Sequence, residues 1–512
     1  LKPKSKFNYL PMENKFSRRS FIATSATAAA AVTILPSNVV SGMGYKAPSD
    51  KLNIAGIGIG GMGHANLTNL KSENIVGLCD VDWKYAEGCF KDFPGAKKYK
   101  DWRVMYDELG KSIDGVVIAT ADHTHAITAS HAIAMGKHVY LQKPLTHSVY
   151  ESRLLTKLAA KYKVATQMGN QGSSLEGVNL TCEWLANGEI GEVTKVEAFT
   201  DRPIWPQGLN TPSQGQWVPE TLDWDLFTGP AKMRPYNEIY HPWNWRGWWA
   251  YGTGALGDMA CHILHPVFIG LELGYPTKAQ GNSTLLLQDC APSAQAVKLT
   301  FPARVPKRAW KGSKKGAPLP QVEVSWFDGG IKPMLPAGWP VGKDPNDAGG
   351  GVFFHGTKGI LVCGCYGVNP WILRPNGTVE KPVNAPKFRR RIEISHEMDW
   401  VRAAKESPES RVKTASDFSE AGPFNEMVVM GVLAVRLQTL NKELMWDGPN
   451  MKFTNITDDE KIKIVVEDKF KIHDGHPTFD RSYTDPVPAT EFAAELIKHT
   501  YRKPWSLPEM PA

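Results

Sequence analysis

The stretch LNIAGIGIGGMGHANL, residues 52–67, decides how the chain is read. Leu52–Ile59 is short, apolar and rich in isoleucine, the pattern of a strand buried in a sheet. It runs without a break into Gly58-Ile59-Gly60-Gly61-Met62-Gly63, and His64-Ala65-Asn66-Leu67 then reads as a helix start. Glycines spaced G-x-G-x-x-G between a strand and a helix have separate tasks. Gly58 makes a tight turn, Gly60 lets a pyrophosphate approach the backbone, and Gly63 lets the helix pack closely on the strand. The N–H groups around Ile59, Gly61 and Met62 then face the phosphates at a helix N-terminus.

The flanking sequence repeats the strand–helix alternation. A second strand, Ile75–Cys79, ends at Asp80, 17 residues past Gly63. That spacing suits the acid that hydrogen-bonds the adenosine ribose, with Asp82 as a neighbour able to share the task. A carboxylate there repels a 2′-phosphate, so NAD is expected over NADP. A helix is expected around Asp82–Phe90. The strand Asp114–Ala119 ends in Thr120-Ala121-Asp122-His123-Thr124-His125. In a doubly wound sheet the carboxyl ends of strands line the ligand crevice, which places Thr120, Asp122 and His125 at the cofactor. A helix over Ala126–Met135 and a strand over His138–Leu141 lead to Gln142-Lys143-Pro144. Lys143 is thereby set to polarise a substrate oxygen near the nicotinamide. Asn170 follows a further strand, Val164–Met168, at the same edge. Residues 50–170 are expected to form a Rossmann domain with a doubly wound parallel sheet.

A second cluster lies near residue 260. Ala255–Phe268 has helical spacing, and Asp258 and His262 are four apart, on one helix face. A carboxylate beside an imidazole raises its pKa and orients it. Such a histidine can take a hydroxyl proton as hydride leaves the same carbon. His265 is a further substrate candidate. Seven of the 17 tryptophans fall within Trp205–Trp249, where indole faces suit sugar C–H faces. Trp245 and Arg246 are the expected substrate contacts, with His241 nearby, and Tyr251 is a candidate to share acid–base work.

Taken together, Gly58-x-Gly60-Gly61-x-Gly63, Asp122-His123-Thr124-His125, Lys143-Pro144 and Gly257-Asp258-x-x-x-His262 resemble the Gfo/Idh/MocA oxidoreductases. The resemblance runs over most of the chain from about residue 51. It implies an α/β protein: an N-terminal Rossmann domain, then an α/β domain, residues 171–512, with a large open, mainly antiparallel sheet that serves substrate binding and often homo-oligomer formation. It also implies that Lys143, Asp258 and His262 form the catalytic group. The family usually has Glu-Lys-Pro; here the first residue is Gln142, which still accepts a hydrogen bond but carries no charge. Val193–Thr200, Ala294–Phe301, Val322–Trp326 and Gly359–Cys363 read as strands of the second domain, 302–320 as an inserted loop, and Phe424–Leu437 as a helix packed on the core.

Composition narrows the function further. The net charge is +7, but residues 1–44 hold six basic groups and one acid, leaving the rest at only +2. No concentrated basic face is available for nucleic acid. Seven cysteines at scattered spacing are no disulfide framework, and no metal-ligand spacing accompanies Cys363 and Cys365. Residues 1–45 read as an export signal and linker: Ser17-Arg18-Arg19-Ser20-Phe21-Ile22, then an apolar run through Leu35, resembles a twin-arginine signal. That run is shorter than the roughly 20 residues that span a bilayer. The expectation is a periplasmic protein, not inserted in the membrane, that holds NAD tightly and acts on a small-molecule sugar, glycoside or polyol. Two alternatives stand beside hydride transfer: a redox-neutral glycoside hydrolase using NAD through C3 oxidation and elimination, and a non-catalytic NAD or carbohydrate-binding protein.

Overall fold

The computed structural model describes residues 50–308, 310–311 and 317–511. The segment expected to direct export and part of the expected inserted loop lie outside the described residues. None of the described helices is long and apolar enough to cross a membrane.

Six strands make the first sheet: β1 (Asn53–Ile57), β2 (Asn74–Cys79), β3 (Lys97–Tyr99), β4 (Gly115–Ile118), β5 (His138–Leu141) and β6 (Thr166–Met168). Their order is β3-β2-β1-β4-β5-β6, and every pairing is parallel. The order reverses between β1 and β4, which opens a crevice at their carboxyl ends. All four residues of β4 are buried, as a strand covered on both faces requires. The helix expected from Asp82 starts only at Glu87. Asp82 instead accepts bonds from Lys84 N and Tyr85 N, holding those residues in a turn.

The second sheet has ten strands: β7 (Val193–Thr200), β8 (Lys278–Ser283), β9 (Gln295–Phe301), β10 (Val322–Phe327), β11 (Gly350–Gly356), β12 (Gly359–Gly364), β13 (Trp371–Leu373), β14 (Val379–Glu380), β15 (Leu444–Asp447) and β16 (Lys452–Phe453). Their order is β14-β13-β12-β11-β7-β10-β9-β8-β15-β16. Only β7 and β10 pair in parallel. The helix Phe418–Arg436, capped by Asp417, is buried along nearly its whole length and packs against β8 and β9. The single helix expected over Ala255–Phe268 is two, Gly254–Ile263 and His265–Gly270. Pro266 explains the break: it has no N–H, and its ring opposes the carbonyl four residues back.

The division near residue 170 is not a clean one. Helix His396–Lys405, far along the chain, returns to the first sheet and joins Ile54, Leu67, Val117 and Tyr140 in one buried cluster. Trp400 lies wholly inside it, with its Nε1 3.3 Å from Ala165 O. Gly115 makes room for the indole: a Cβ there would stand 2.8 Å from Trp400 Cζ2. Trp400→Ala is expected to lower stability by about 3–5 kcal/mol through the cavity it leaves, read as a lower urea midpoint.

Candidate active site

A cavity of about 530 Å³ opens at the carboxyl ends of β1, β2, β4 and β5. Gly58, Gly60, Gly61, Met62, Asp80, Thr120, Gln142 and Lys143 line it from the first sheet, and Trp245, Arg246, Asp258 and His262 face them across it. The glycine turn and the helix near residue 260 therefore share one cleft, with Lys143 in its wall.

The turn is rigidly built. Gly58 has φ +74°, and its N–H reaches Cys79 O at 2.9 Å. Helix Met62–Asn69 leaves the turn at such close range that a Cβ on Gly63 would lie 2.1 Å from Gly58 O. Asp80 Oδ2 accepts from Ile59 N at 2.8 Å and Gly60 N at 3.1 Å, and Oδ1 from Asp82 N at 2.9 Å. Burial pushes the Asp80 carboxyl up to about 6, against the pull of these N–H donors. Asp80 thus splints the turn as well as facing the cleft. Ile59, expected at the cofactor, does not line the cavity: its N–H is given to Asp80 and its side chain is in the core. Gln142 lies behind the sheet edge and donates to Asn66 Oδ1 at 2.9 Å, and Asn66 in turn donates to Glu397. Asp82 is occupied by His241 at 2.9 Å, and of this pair only His241 reaches the cavity wall.

At the other end, Lys143 Nζ donates to Asp258 Oδ1 at 2.8 Å and to Asp258 O at 3.2 Å. Arg246 Nε reaches the same Oδ1 at 3.2 Å, while its guanidinium lies over Trp243 and Trp245 at 3.8 and 4.4 Å. Burial alone would raise the Asp258 carboxyl; the Lys143 and Arg246 cations outweigh it and hold it at about 2. This corrects the expected Asp258–His262 pair. The carboxylate is taken by Lys143 and Arg246, and His262, stripped of it, is depressed rather than raised. Burial, then the Lys143 charge, bring the imidazole to about 3. Its ring lies 4.5 Å from the Tyr366 ring, and its Nδ1 is buried without a hydrogen-bond partner among the described residues. His262 is therefore neutral and in its proton-accepting form at pH 7.

A pH profile follows from that sign. An unperturbed imidazole base loses activity as pH falls through about 6.5. With His262 depressed to about 3, kcat/KM for the sugar, which reports the enzyme before substrate binds, is expected to show no acid limb between pH 8 and 5 from this residue. A limb centred near 6.5 that disappears in His262→Ala would contradict this assignment.

Five residues expected at the site have side chains that do not line the cleft. His125 is fully buried, with Nδ1 2.8 Å from Pro144 O and Nε2 3.1 Å from Thr120 O, so it ties two loops together instead of meeting a cofactor. Asp122 accepts from Thr253 N at 3.1 Å and Thr253 Oγ1 at 2.8 Å, linking β4 to the start of helix Gly254–Ile263. Asn170 is buried near Cys261 O, with its neighbour Gln171 at the cavity wall. His265 turns the other way, to Glu420 at 3.2 Å and the Phe424 ring, because the break before Pro266 rotates it off the Asp258–His262 face. Tyr251 is likewise inside an aromatic cluster with Trp224, Phe227 and Tyr240. Two tyrosines that no motif marks do line the cleft. Tyr85 lies over Gly60 and Gly61, and Tyr366 comes from the turn after β12 with φ +62°. A positive φ at a non-glycine residue beside His262 is the kind of local strain that gathers at working sites.

Residues 52–170 match the NAD-binding Rossmann fold of the Gfo/Idh/MocA oxidoreductase family, and residues 189–301 match the C-terminal α/β domain of oxidoreductases of that family. The two matched segments follow one another in the order of the two domains of those oxidoreductases. Among similar proteins, glucose-6-phosphate 3-dehydrogenase of Bacillus subtilis is 28% identical over 144 residues, 28% of this chain and 40% of that one. Levoglucosan dehydrogenase of Pseudarthrobacter phenanthrenivorans is 26% identical over 164 residues, 32% of this chain and 34% of that one. The matched segments thus span well under half the length of these relatives. The WlbA dehydrogenase of Bordetella pertussis, solved with NADH and UDP-GlcNAcA, superimposes with TM-score 0.51 at 15% identity, over 78% of this chain and 99% of that one. At that identity the likeness concerns the fold.

Proposed function

We propose that this protein is a Gfo/Idh/MocA oxidoreductase that transfers a hydride between NAD and a hydroxyl-bearing carbon of a sugar, glycoside or polyol. The observation that carries the reading is the meeting of Lys143, Asp258 and His262 with the glycine turn on one cavity. The residues present fit a dinucleotide. Gly58, Gly60 and Gly61 line the cavity with backbone, and the acid at Asp80 favours ribose hydroxyls over a 2′-phosphate. NAD, when bound, supplies the hydride acceptor or donor.

The chain's own residues do the proton work. Neutral His262 accepts the proton of the substrate hydroxyl, which an alcohol must lose as its carbon gives up hydride. Lys143, anchored on Asp258, points positive charge at that oxygen and stabilises the charge that develops there. Asp258, kept ionised by two cations, orients Lys143 and takes no proton itself. Trp245 and Trp243 offer indole surface beside Arg246 for a sugar ring. The sugar dehydrogenases among the partial relatives support the substrate class.

Purified protein mixed with NAD and a panel of glycosides tests the reading. A keto-sugar formed with stoichiometric NADH is the expected result. Release of free sugar without net NADH would mean the redox-neutral glycosidase reaction, and NAD binding with neither product would mean a binding protein. We further propose periplasmic export by residues 17–35, with NAD held through turnover. Cell fractionation, and a mass spectrum of the denatured periplasmic protein for released NAD, test it; protein confined to the cytoplasm refutes export.

A further inference from the structure

A second cavity, about 420 Å³, lies between the end of helix Phe418–Arg436, helix Ala489–Ile497 and the loop at 230–234. It shares only His123 with the first cavity. His123 is locked in the partition between them, its Nε2 3.0 Å from Phe227 O and its Nδ1 3.3 Å from Tyr251 O. Nothing in the hydride-transfer reading uses this second space.

Its charges are unevenly matched. Three carboxylates line it, and each has donors of its own. Glu151 accepts from His147 N, Ser148 N and Tyr501 Oη. Asp289 accepts from Thr211 Oγ1 at 2.8 Å and faces Arg234 at 3.4 Å. Glu495 accepts from Thr500 N at 2.9 Å and Thr500 Oγ1 at 2.7 Å. Arg436 differs. Its guanidinium lies 5.3 Å from the Trp249 ring and 5.4 Å from the Phe492 ring, and among the described residues it makes no hydrogen bond or ion pair. The rings stabilise the cation through their faces but accept nothing from the five N–H groups of the fork. The half-buried cation feels the Asp289 and Glu495 carboxylates only at a distance, and no acceptor among the described residues touches it. Burial in fact pulls this guanidinium down to about 10.

We propose that this cavity is a binding site for a small organic carboxylate, held by Arg436. The planar guanidinium matches a carboxylate through two parallel N–H···O bonds. Trp249, Phe492 and Leu496 give the ligand's body an apolar wall. The three neighbouring carboxylates disfavour a dianion, which selects a monocarboxylate over inorganic phosphate. Lys232, exposed at the rim, adds a positive edge to the mouth.

Calorimetric titration of the full chain, with saturating NAD present to fill the first cavity, tests this with benzoate and inorganic phosphate as probes. Benzoate is expected to bind at least tenfold more tightly than phosphate. Arg436→Met is expected to weaken benzoate at least tenfold, and Lys143→Ala, in the other cavity, to leave it unchanged. Lys232→Glu, a surface change that leaves the core intact, is expected to weaken it several-fold and serves if Arg436→Met does not fold. Absence of benzoate binding, preference for phosphate, full affinity in Arg436→Met or in Lys232→Glu, or a loss caused by Lys143→Ala would each overturn the proposal.

Discussion

Gly58→Val is expected to weaken NADH binding at least a hundredfold. A Cβ at this position would stand 2.6 Å from Ala119 C and Thr120 N, backbone atoms with no freedom to swing aside. The residue also has φ +74°, a conformation that costs an L side chain roughly 1–2 kcal/mol before any clash. Either β1 and β4 separate or the turn changes course, and in both cases the N–H groups of Ile59 and Gly60 leave Asp80. A fluorescence titration with NADH, beside a circular dichroism check of folding, reads the effect. Wild-type affinity in a folded variant would remove this turn from the cofactor site. Gly60→Val asks a different question. Its Cβ meets only the Tyr85 ring, at 2.1 Å, and that side chain can turn outward. Lost affinity there would report the approach of a pyrophosphate rather than strain in the turn.

His262→Ala is expected to lower turnover by about two to four orders of magnitude, the usual worth of a positioned general base. NADH affinity should change by less than threefold, because His262 sits at the Asp258 end of the cleft and away from the glycine turn. Steady-state rates with a sugar substrate, set beside an NADH titration, separate the two effects. Full activity in the variant would exclude His262 as the base and turn attention to Tyr366, whose ring lies 4.5 Å away.

The parallel sheet was legible because its signals are local. β1, β2, β4 and β5 are largely apolar and lead into residue types that the crevice demands, whereas β3, Lys97-Lys98-Tyr99, has no apolar run and no strand was expected there. Lys143 and His262 could be marked for the same reason. What sequence could not reveal is how carboxylates are shared. Asp258 and His262 are four apart on one helix, yet the ion pair that forms joins Asp258 to Lys143, 115 residues earlier. Asp122 and His125 sit in the same short motif as Thr120, but of these three Thr120 alone lines the cleft; Asp122 is held by Thr253, and His125 by the Pro144 and Thr120 carbonyls. His265 was displaced by a one-residue break that periodicity alone does not resolve, although Pro266 gave notice of it. Tyr366 had no signal at all, since it arrives on a turn between two strands of the other sheet.

The return of Trp400 to the first sheet bears on how the molecule is made. A ribosome finishes β1 to β6 more than two hundred residues before it delivers the indole that covers Ile54, Val117 and Tyr140. Through that interval the nascent half presents a sticky, incomplete face of the kind chaperones bind. Anyone excising residues 50–170 as a stand-alone nucleotide-binding fragment will meet the same exposed surface, and grafting the 396–405 helix onto it is the direct remedy.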